Sequence, residues 1–325
     1  MASEYPNVLA VEPSSPLLRK DDNDSGFPSR TSWRDFLLSD VDSDHATGPL
    51  AVFCFMTGFI DAISFTAVFV WCGFQTGNFA QLALAVARCA STREIVFSIA
   101  DQQALLSLIA FNIGAFSGRI GDRIGAQTRA WLISGTAAQA ALTIVAGICI
   151  QQSGQGSIAI VRGEPTWTNT LSSLGLALMA ASLGLQGIMG KRLNTQFSTT
   201  VVLTAVWVEL VSDPHLFVRR KVTSRDHKVL ALVALFAGAV LARLLLRVFG
   251  AAATLGVGAG IRIFVAGAWC FVRSKGDGYT RLWDREPPQD ASETDLIAPA
   301  PAAEVPSYGA VSNTSPKLVD NARWW

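Results

Sequence analysis

Hydrophobic and polar positions divide the chain into three parts: a polar stretch to about residue 48, apolar runs broken by short polar gaps to about 272, and a second polar stretch to the end. In the middle part, runs at about 50–72, 102–120, 130–150, 170–190, 229–249 and 251–272 approach or exceed the length of about 20 residues that a helix needs to cross roughly 30 Å of hydrocarbon. Two further runs, at about 79–87 and 197–211, are too short to cross. The pattern predicts an all-α, polytopic integral membrane helix bundle with six spans and two short re-entrant or broken segments. Residues 49–272 form its membrane domain. The flanks, 1–48 (rich in Ser, Pro and Asp) and 273–325 (rich in Pro, Ala, Asp and Glu), read as disordered tails.

The short runs occupy matching places. Gln75-Thr76-Gly77-Asn78 follows the first span and precedes FAQLALAVA, whereas Gln196-Phe197-Ser198-Thr199-Thr200 follows the fourth and precedes VVLTAVWVEL. Further on, LLSLIAFNIGAFSGRI in the first half resembles VLALVALFAGAVLARL in the second. This reads as a weak internal repeat, three spans per half, split near residue 160. Chance similarity among helices rich in Ala, Leu and Val is the competing explanation. Three spans per half would invert the halves relative to one another, and interrupted segments at corresponding positions then point to a transporter binding site.

Basic residues test the number of crossings. With six spans and both termini cytoplasmic, Arg119, Arg123, Arg129, Lys191, Arg192 and the cluster at 219–228 fall inside, and Arg88, Arg93, Arg162 and Arg247 outside. Letting the short segments cross makes the division more even, so six is preferred. Sorting-type patterns in the tails, Leu17-Leu18 and Tyr308-Gly309-Ala310-Val311, leave the choice between plasma membrane and vacuolar membrane open.

Composition narrows the chemistry. Half of the residues are hydrophobic and only 16% charged, against about 25% in soluble domains. A net charge of +1 lacks the basic excess that a nucleic-acid partner demands. The five cysteines lie in or beside apolar runs without metal or disulfide spacing. His45, His215 and His227 have no Cys, Ser or carboxylate at ligand spacing, so no metal, cofactor or catalytic residue is expected and the chain does not read as an enzyme. Gly184–Lys191 departs from the phosphate-loop pattern in spacing, and Arg192 stands where Ser or Thr belongs.

The candidate site centres on Asp61, an acid inside the first span. Such a residue costs roughly 3 kcal/mol to insert and usually faces a bundle interior or a cavity. It reads either as a proton- or cation-linked site or as a structural acid paired with Arg243 or Arg262, both inside apolar runs. Gln75, Thr76, Gly77 and Asn78, with Ser198, Thr199 and Thr200, supply polar groups where helices break; they would hold a solute at a helix start or simply cap one. Gln186 and Asn112 would line a cavity or bond between helices, and Glu209 would line it or reach water. Gly73/Gly77, Gly114/Gly118, Gly121/Gly125 and Gly256/Gly260 have the spacing of close helix packing within one chain.

Thr57, Gly58, Asp61 and Ala62, then Gln75–Asn78, then Gly184-Leu185-Gln186 leading to Thr199, Thr200, Leu203 and Thr204, together resemble the YoaK-like membrane family (domain of unknown function 1275), in a fungal-type form with long polar tails. The resemblance spans about residues 48–272 and implies a six-span fold; it implies no particular activity. One departure is Gly187, where many relatives carry Asn. The sequence as a whole predicts a small-solute transporter or permease, proton-coupled through Asp61, with the lipid bilayer and a small solute as partners. The alternative is a non-transporting scaffold or sensor that acts through its tails.

Overall fold

The computed structural model describes residues 33–92, 97–161, 164–193, 203–218, 220 and 222–275, all within the first of two compact units, Met1–Leu282. The described residues are helical: α1 (Trp33–Leu38), α2 (Thr47–Val68), α3 (Gln75–Thr92), α4 (Ile99–Ser117), α5 (Arg119–Ile124), α6 (Arg129–Ser153), α7 (Thr170–Arg192), α8 (Leu203–Val211) and α9 (Thr223–Ala268). Side-chain oxygens start the long helices where the sequence offers them. Ser98 accepts from the Asp101 N–H in a reciprocal capping box, Thr128 from Trp131 and Asn169 from Ser172.

Among the described residues, five helices are long and apolar enough to cross a membrane, and the last is 49 residues long when its terminal turn is counted. At 1.5 Å per residue a straight helix of that length would be roughly 74 Å, more than twice a bilayer's hydrocarbon. It is not straight. Gly250 has φ 76° and ψ 176°, conformations open to glycine, and the helix reverses there into an outgoing arm (223–249) and a returning arm (251–268). Both ends come back to one place: Thr47 Oγ1 lies 3.5 Å from His227 Nε2, and the Asp42 N–H donates to the Arg273 carbonyl at 2.8 Å. The six spans expected from the sequence are thus four separate helices and one hairpin of two arms.

Calling the end that holds residues 40–47 proximal, α2 runs to the distal end, α4 with α5 returns, α6 goes out, α7 returns, and the α9 arms go out and back. The short helices stay at opposite ends. α3 begins against Ser107, and Arg88 near its other end pairs with Asp101, six residues earlier in α4, so α3 remains distal. α8 buries Leu203 and Val206 among Leu50, Phe53 and Ala231, and Glu209 pairs with Lys228 at 3.3 Å, so α8 remains proximal. The order α2-α3-α4-α6 is therefore repeated upside down by α7-α8 and the two arms of α9.

Two close crossings repeat the same pairing. A Cβ added to Gly58 would stand 2.0 Å from the Leu235 carbonyl oxygen, and one added to Gly238 would stand 2.0 Å from that of Phe55, so α2 and α9 touch backbone to backbone. Between α4 and α7, Gly114 meets the Ala181 oxygen and Gly184 the Phe111 oxygen at the same distance. Packing this close needs small residues at the contact. Gly118 and Gly121 also face neighbours inside the chain (Ile188 and Trp131), but Gly256 and Gly260 have nothing within 4 Å, so the internal packing expected of that pair is absent.

Within the tail expected over 1–48, a short helix starts at Trp33 and burial begins at Ser39. Val41 is buried and donates its N–H to the Gln127 carbonyl, while the Lys275 N–H donates to the Asp40 carbonyl. Arg129 gathers these strands of chain: its guanidinium bonds Ser39, Ser274 and the Val272 carbonyl and lies over the Phe36 ring. The partners are far away in sequence, so no local periodicity announces them.

Candidate functional site

α2 ends at Val68, and the six residues before α3 are held by polar side chains rather than by helix geometry. Phe69 takes the left-handed conformation (φ 59°) that closes the helix, and its ring meets Phe65 edge-on. Asn78 then clamps Trp71 from both sides: its Oδ1 accepts the Trp71 N–H at 3.1 Å and its Nδ2 donates to the Trp71 carbonyl at 2.6 Å. Gln75 donates to the Cys72 carbonyl at 2.7 Å and to Ser107 Oγ at 3.1 Å, and Ser107 donates in turn to the Trp71 carbonyl at 2.8 Å. The loop is fixed from α3 and α4 together.

That fixing aims two backbone donors at Asp61. Its Oδ1 accepts from the Cys72 and Gly73 N–H groups, each at 2.7 Å. Its Oδ2 is shielded from water and has no hydrogen-bond partner. A residue only 1% exposed thus carries one satisfied oxygen and one free one. Since almost every buried polar atom in a protein is paired, the free oxygen calls for an explanation.

One helical turn before Asp61 a second polar system begins. Gln186 of α7 donates to the Thr57 hydroxyl and to the Phe53 carbonyl, both at 2.9 Å. Its Oε1 accepts from Arg262 at 3.3 Å, and Arg262 also donates to the Gln139 carbonyl at 3.0 Å and to Thr143 Oγ1 at 2.9 Å. Arg262 is 1% exposed and, among the described residues, faces no carboxylate within ion-pair distance. Neutral oxygens from α6 and α7 solvate it. The expected Arg262–Asp61 ion pair is absent, because Gln186 and the α6 oxygens take up the guanidinium instead.

Asp61 opens on a cavity of about 370 Å³ between α2, the outgoing arm of α9 and the 69–74 loop. Gly58, Ala62, Phe65 and Thr66 line it from α2, Trp71 and Phe74 from the loop, and Leu235, Ala239 and Arg243 from α9. Trp71 stacks on Phe65 with centroids 4.1 Å apart and meets Phe74 edge-on at 5.3 Å, so the aromatic wall is braced. Arg243 shares this cavity with Asp61 without forming an ion pair with it.

The candidates from the sequence divide as follows. Asp61 and Arg243 line the cavity; Gln75 and Asn78 build its wall from behind; Gln186 and Arg262 form the buried network beside it. Thr76 and Gly77 are exposed in the first turn of α3 and do not line the cavity. Ser198, Thr199 and Thr200 lie outside the described residues. Asn112 faces outward and donates to the Leu108 carbonyl of its own helix, so it lines nothing. Sequence reasoning passed over Ser107, Trp71, Gln139 and Thr143. Ser107 and Thr143 carried a signal, a hydroxyl in the middle of an apolar run, whereas the Trp71 backbone carried none.

Residues 50–268 match the family model described as protein of unknown function (DUF1275). The comparison with curated proteins and the comparison with solved structures each return no match.

Proposed function

Because the chain belongs to the DUF1275 family, whose model covers about two thirds of it, and is a membrane protein by its apolar helices, we propose that it is a permease for a small solute held in the Asp61 cavity. The observation that carries this reading is Asp61, which lines the cavity and carries a buried carboxylate oxygen, Oδ2, without a hydrogen-bond partner. A purely structural acid would be expected to use both oxygens, since an unpaired polar atom in a protein interior is costly. Oδ1 does the structural work of fixing the loop, which leaves Oδ2 for a ligand or a proton.

The plan of the molecule supports the same reading. The cavity lies where a helix of the first half meets a helix of the second, and the halves run in opposite directions. Rocking of one half against the other would expose such a site to the two ends in turn. Proton coupling belongs to this proposal: a carboxyl group at membrane depth can carry a proton in one state and a cationic partner in the other. The reading requires no cofactor, metal, nucleic acid or catalytic pair.

The test is electrophysiology of proteoliposomes on a solid-supported membrane, screening small solutes with and without a proton gradient, with wild type and Asp61→Asn at matched density. The expected result is a solute-evoked signal in wild type that disappears in the variant. A signal that survives the substitution would remove Asp61 from the site. If neither electrical recording nor radiolabelled uptake detects transport, the scaffold reading replaces the permease.

A further inference from the structure

The cavity is lined by two ionisable groups of opposite sign, and the protein neutralises neither. Asp61 leaves Oδ2 unpartnered, and Arg243, among the described residues, makes no hydrogen bond or ion pair. The two do not approach within ion-pair distance of each other. Leu235, Ala239 and Arg243 follow one another at four-residue spacing on the face of α9 that lines the cavity. Arg243 lies seven residues before the reversal at Gly250, so roughly 10 Å of helix separates it from the distal end.

We infer, on the premise that this cavity is the solute site, that the solute is a small zwitterion, with its cationic group on Oδ2 of Asp61, its anionic group toward Arg243 and an apolar body against Phe65, Trp71 and Phe74. A cation alone would match Asp61 but leave the charge of Arg243 unmatched beside it. An anion alone would meet the Asp61 carboxylate. Asp61 is buried, where a second negative charge is expensive, and an added cation would repel Arg243 across the same cavity; a net-neutral solute with separated charges avoids both. The volume of about 370 Å³ lies near the lower end of the range for ligand sites, so the molecule is small. The braced aromatic wall suits an apolar body or the flank of an ammonium group.

The test is binding to the full chain purified in detergent, read as the ligand-dependent shift of the thermal unfolding midpoint. The probes share one skeleton: leucine, isopentylamine (which lacks the carboxylate) and isocaproate (which lacks the ammonium), with γ-aminobutyrate as a zwitterion of wider charge separation. At least one zwitterion is expected to act at a concentration tenfold or more below that of the amine or the acid. Arg243→Gln is expected to erase the preference over the amine, Arg243→Lys to restore part of it, and Asp61→Asn to erase the preference over the acid. Arg243 is exposed and its substitution leaves the core intact, so it carries the test if Asp61→Asn folds poorly. The charge class is overturned if the amine or the acid binds wild type as well as the zwitterions, if Arg243→Gln leaves the preference unchanged, or if no probe binds. Uptake of a singly charged solute that Asp61→Asn abolishes would overturn the charge class and keep the permease. Zwitterion binding without uptake would do the reverse.

Discussion

Gly58 and Gly184 hold the same place in the two halves of the molecule. Each faces the carbonyl oxygen of the residue three positions before the glycine of its partner helix, Leu235 before Gly238 and Phe111 before Gly114. The same register sets Gly114 against Gly238 and Arg119 against Arg243. It also sets Asp61 against Gly187, so the halves share a backbone plan but only one carries the acid. Among the described residues, an acid at this register position is therefore present in one half and not in the other.

Replacing any of these four glycines by alanine should destabilise the bundle. An added methyl 2.0 Å from a carbonyl oxygen forces the helices apart, and overpacking of this kind costs about 1–3 kcal/mol. Gly256→Ala and Gly260→Ala, with nothing within 4 Å, should cost nothing and gain up to about 1 kcal/mol in helix propensity. Thermal melts of the six variants in one detergent check the contrast. Equal melting temperatures across the set would mean that the crossings are looser than described.

Asp61→Asn and Asp61→Ala should part company in stability. Asparagine keeps an oxygen for the Cys72 and Gly73 N–H groups, whereas alanine strands two buried donors at about 1–3 kcal/mol each. Amide hydrogen exchange over residues 69–74 should accelerate in the alanine variant and stay slow in the asparagine one. If both variants exchange alike, the carboxylate does not hold the loop.

Asn78→Ala should damage the site from behind while Asp61 stays intact. It frees the Trp71 N–H and leaves the Trp71 carbonyl to Ser107 alone, at a cost of about 1–2 kcal/mol, and loosens the wall that Trp71 and Phe74 give the cavity. The solute response should fall well before the protein stops folding. Thr76→Ala, on an exposed side chain outside the cavity lining, should change neither. A normal solute response in Asn78→Ala would separate the clamp from the site.

Arg262 and Gln186 should behave as one unit. Arg262→Met leaves the Gln186 and Thr143 oxygens without their donor, and Gln186→Met leaves a buried guanidinium short of an acceptor. Each single change should cost about 2 kcal/mol, and the double variant less than their sum by about 1 kcal/mol. A double-mutant cycle on unfolding free energies measures this coupling; additive costs would show the two side chains to be independent.

The helical class was legible because hydrocarbon thickness sets run length, although two of the six expected spans are arms of one helix bent at Gly250; Gly114 and Gly238 sit at matching points of two similar runs. Asp61 was legible for its cost in an apolar run. Its partners were not: Cys72 and Gly73 contribute only backbone N–H groups, which any residue type could supply. Charge made Arg243 and Arg262 the candidate partners of Asp61, whereas the Arg262 guanidinium bonds neutral oxygens of Gln186, Gln139 and Thr143, which charge alone does not announce. The packing of residues 33–48 escaped notice because it depends on Arg129 and Ser274, far off in the chain.

The reversal at Gly250 also sets a schedule for synthesis. α2 leaves the ribosome well ahead of α9, yet the helix that closes on Gly58 carries its matching glycine at 238, about 180 residues later. At roughly 5–20 residues per second, some 10–40 seconds pass during which a helix bearing an acid has no partner on that face. Whatever shelters Asp61 in that interval, lipid headgroups, water or the insertion machinery, must give way when the α9 hairpin arrives. The same face that receives the hairpin last becomes the wall of the cavity.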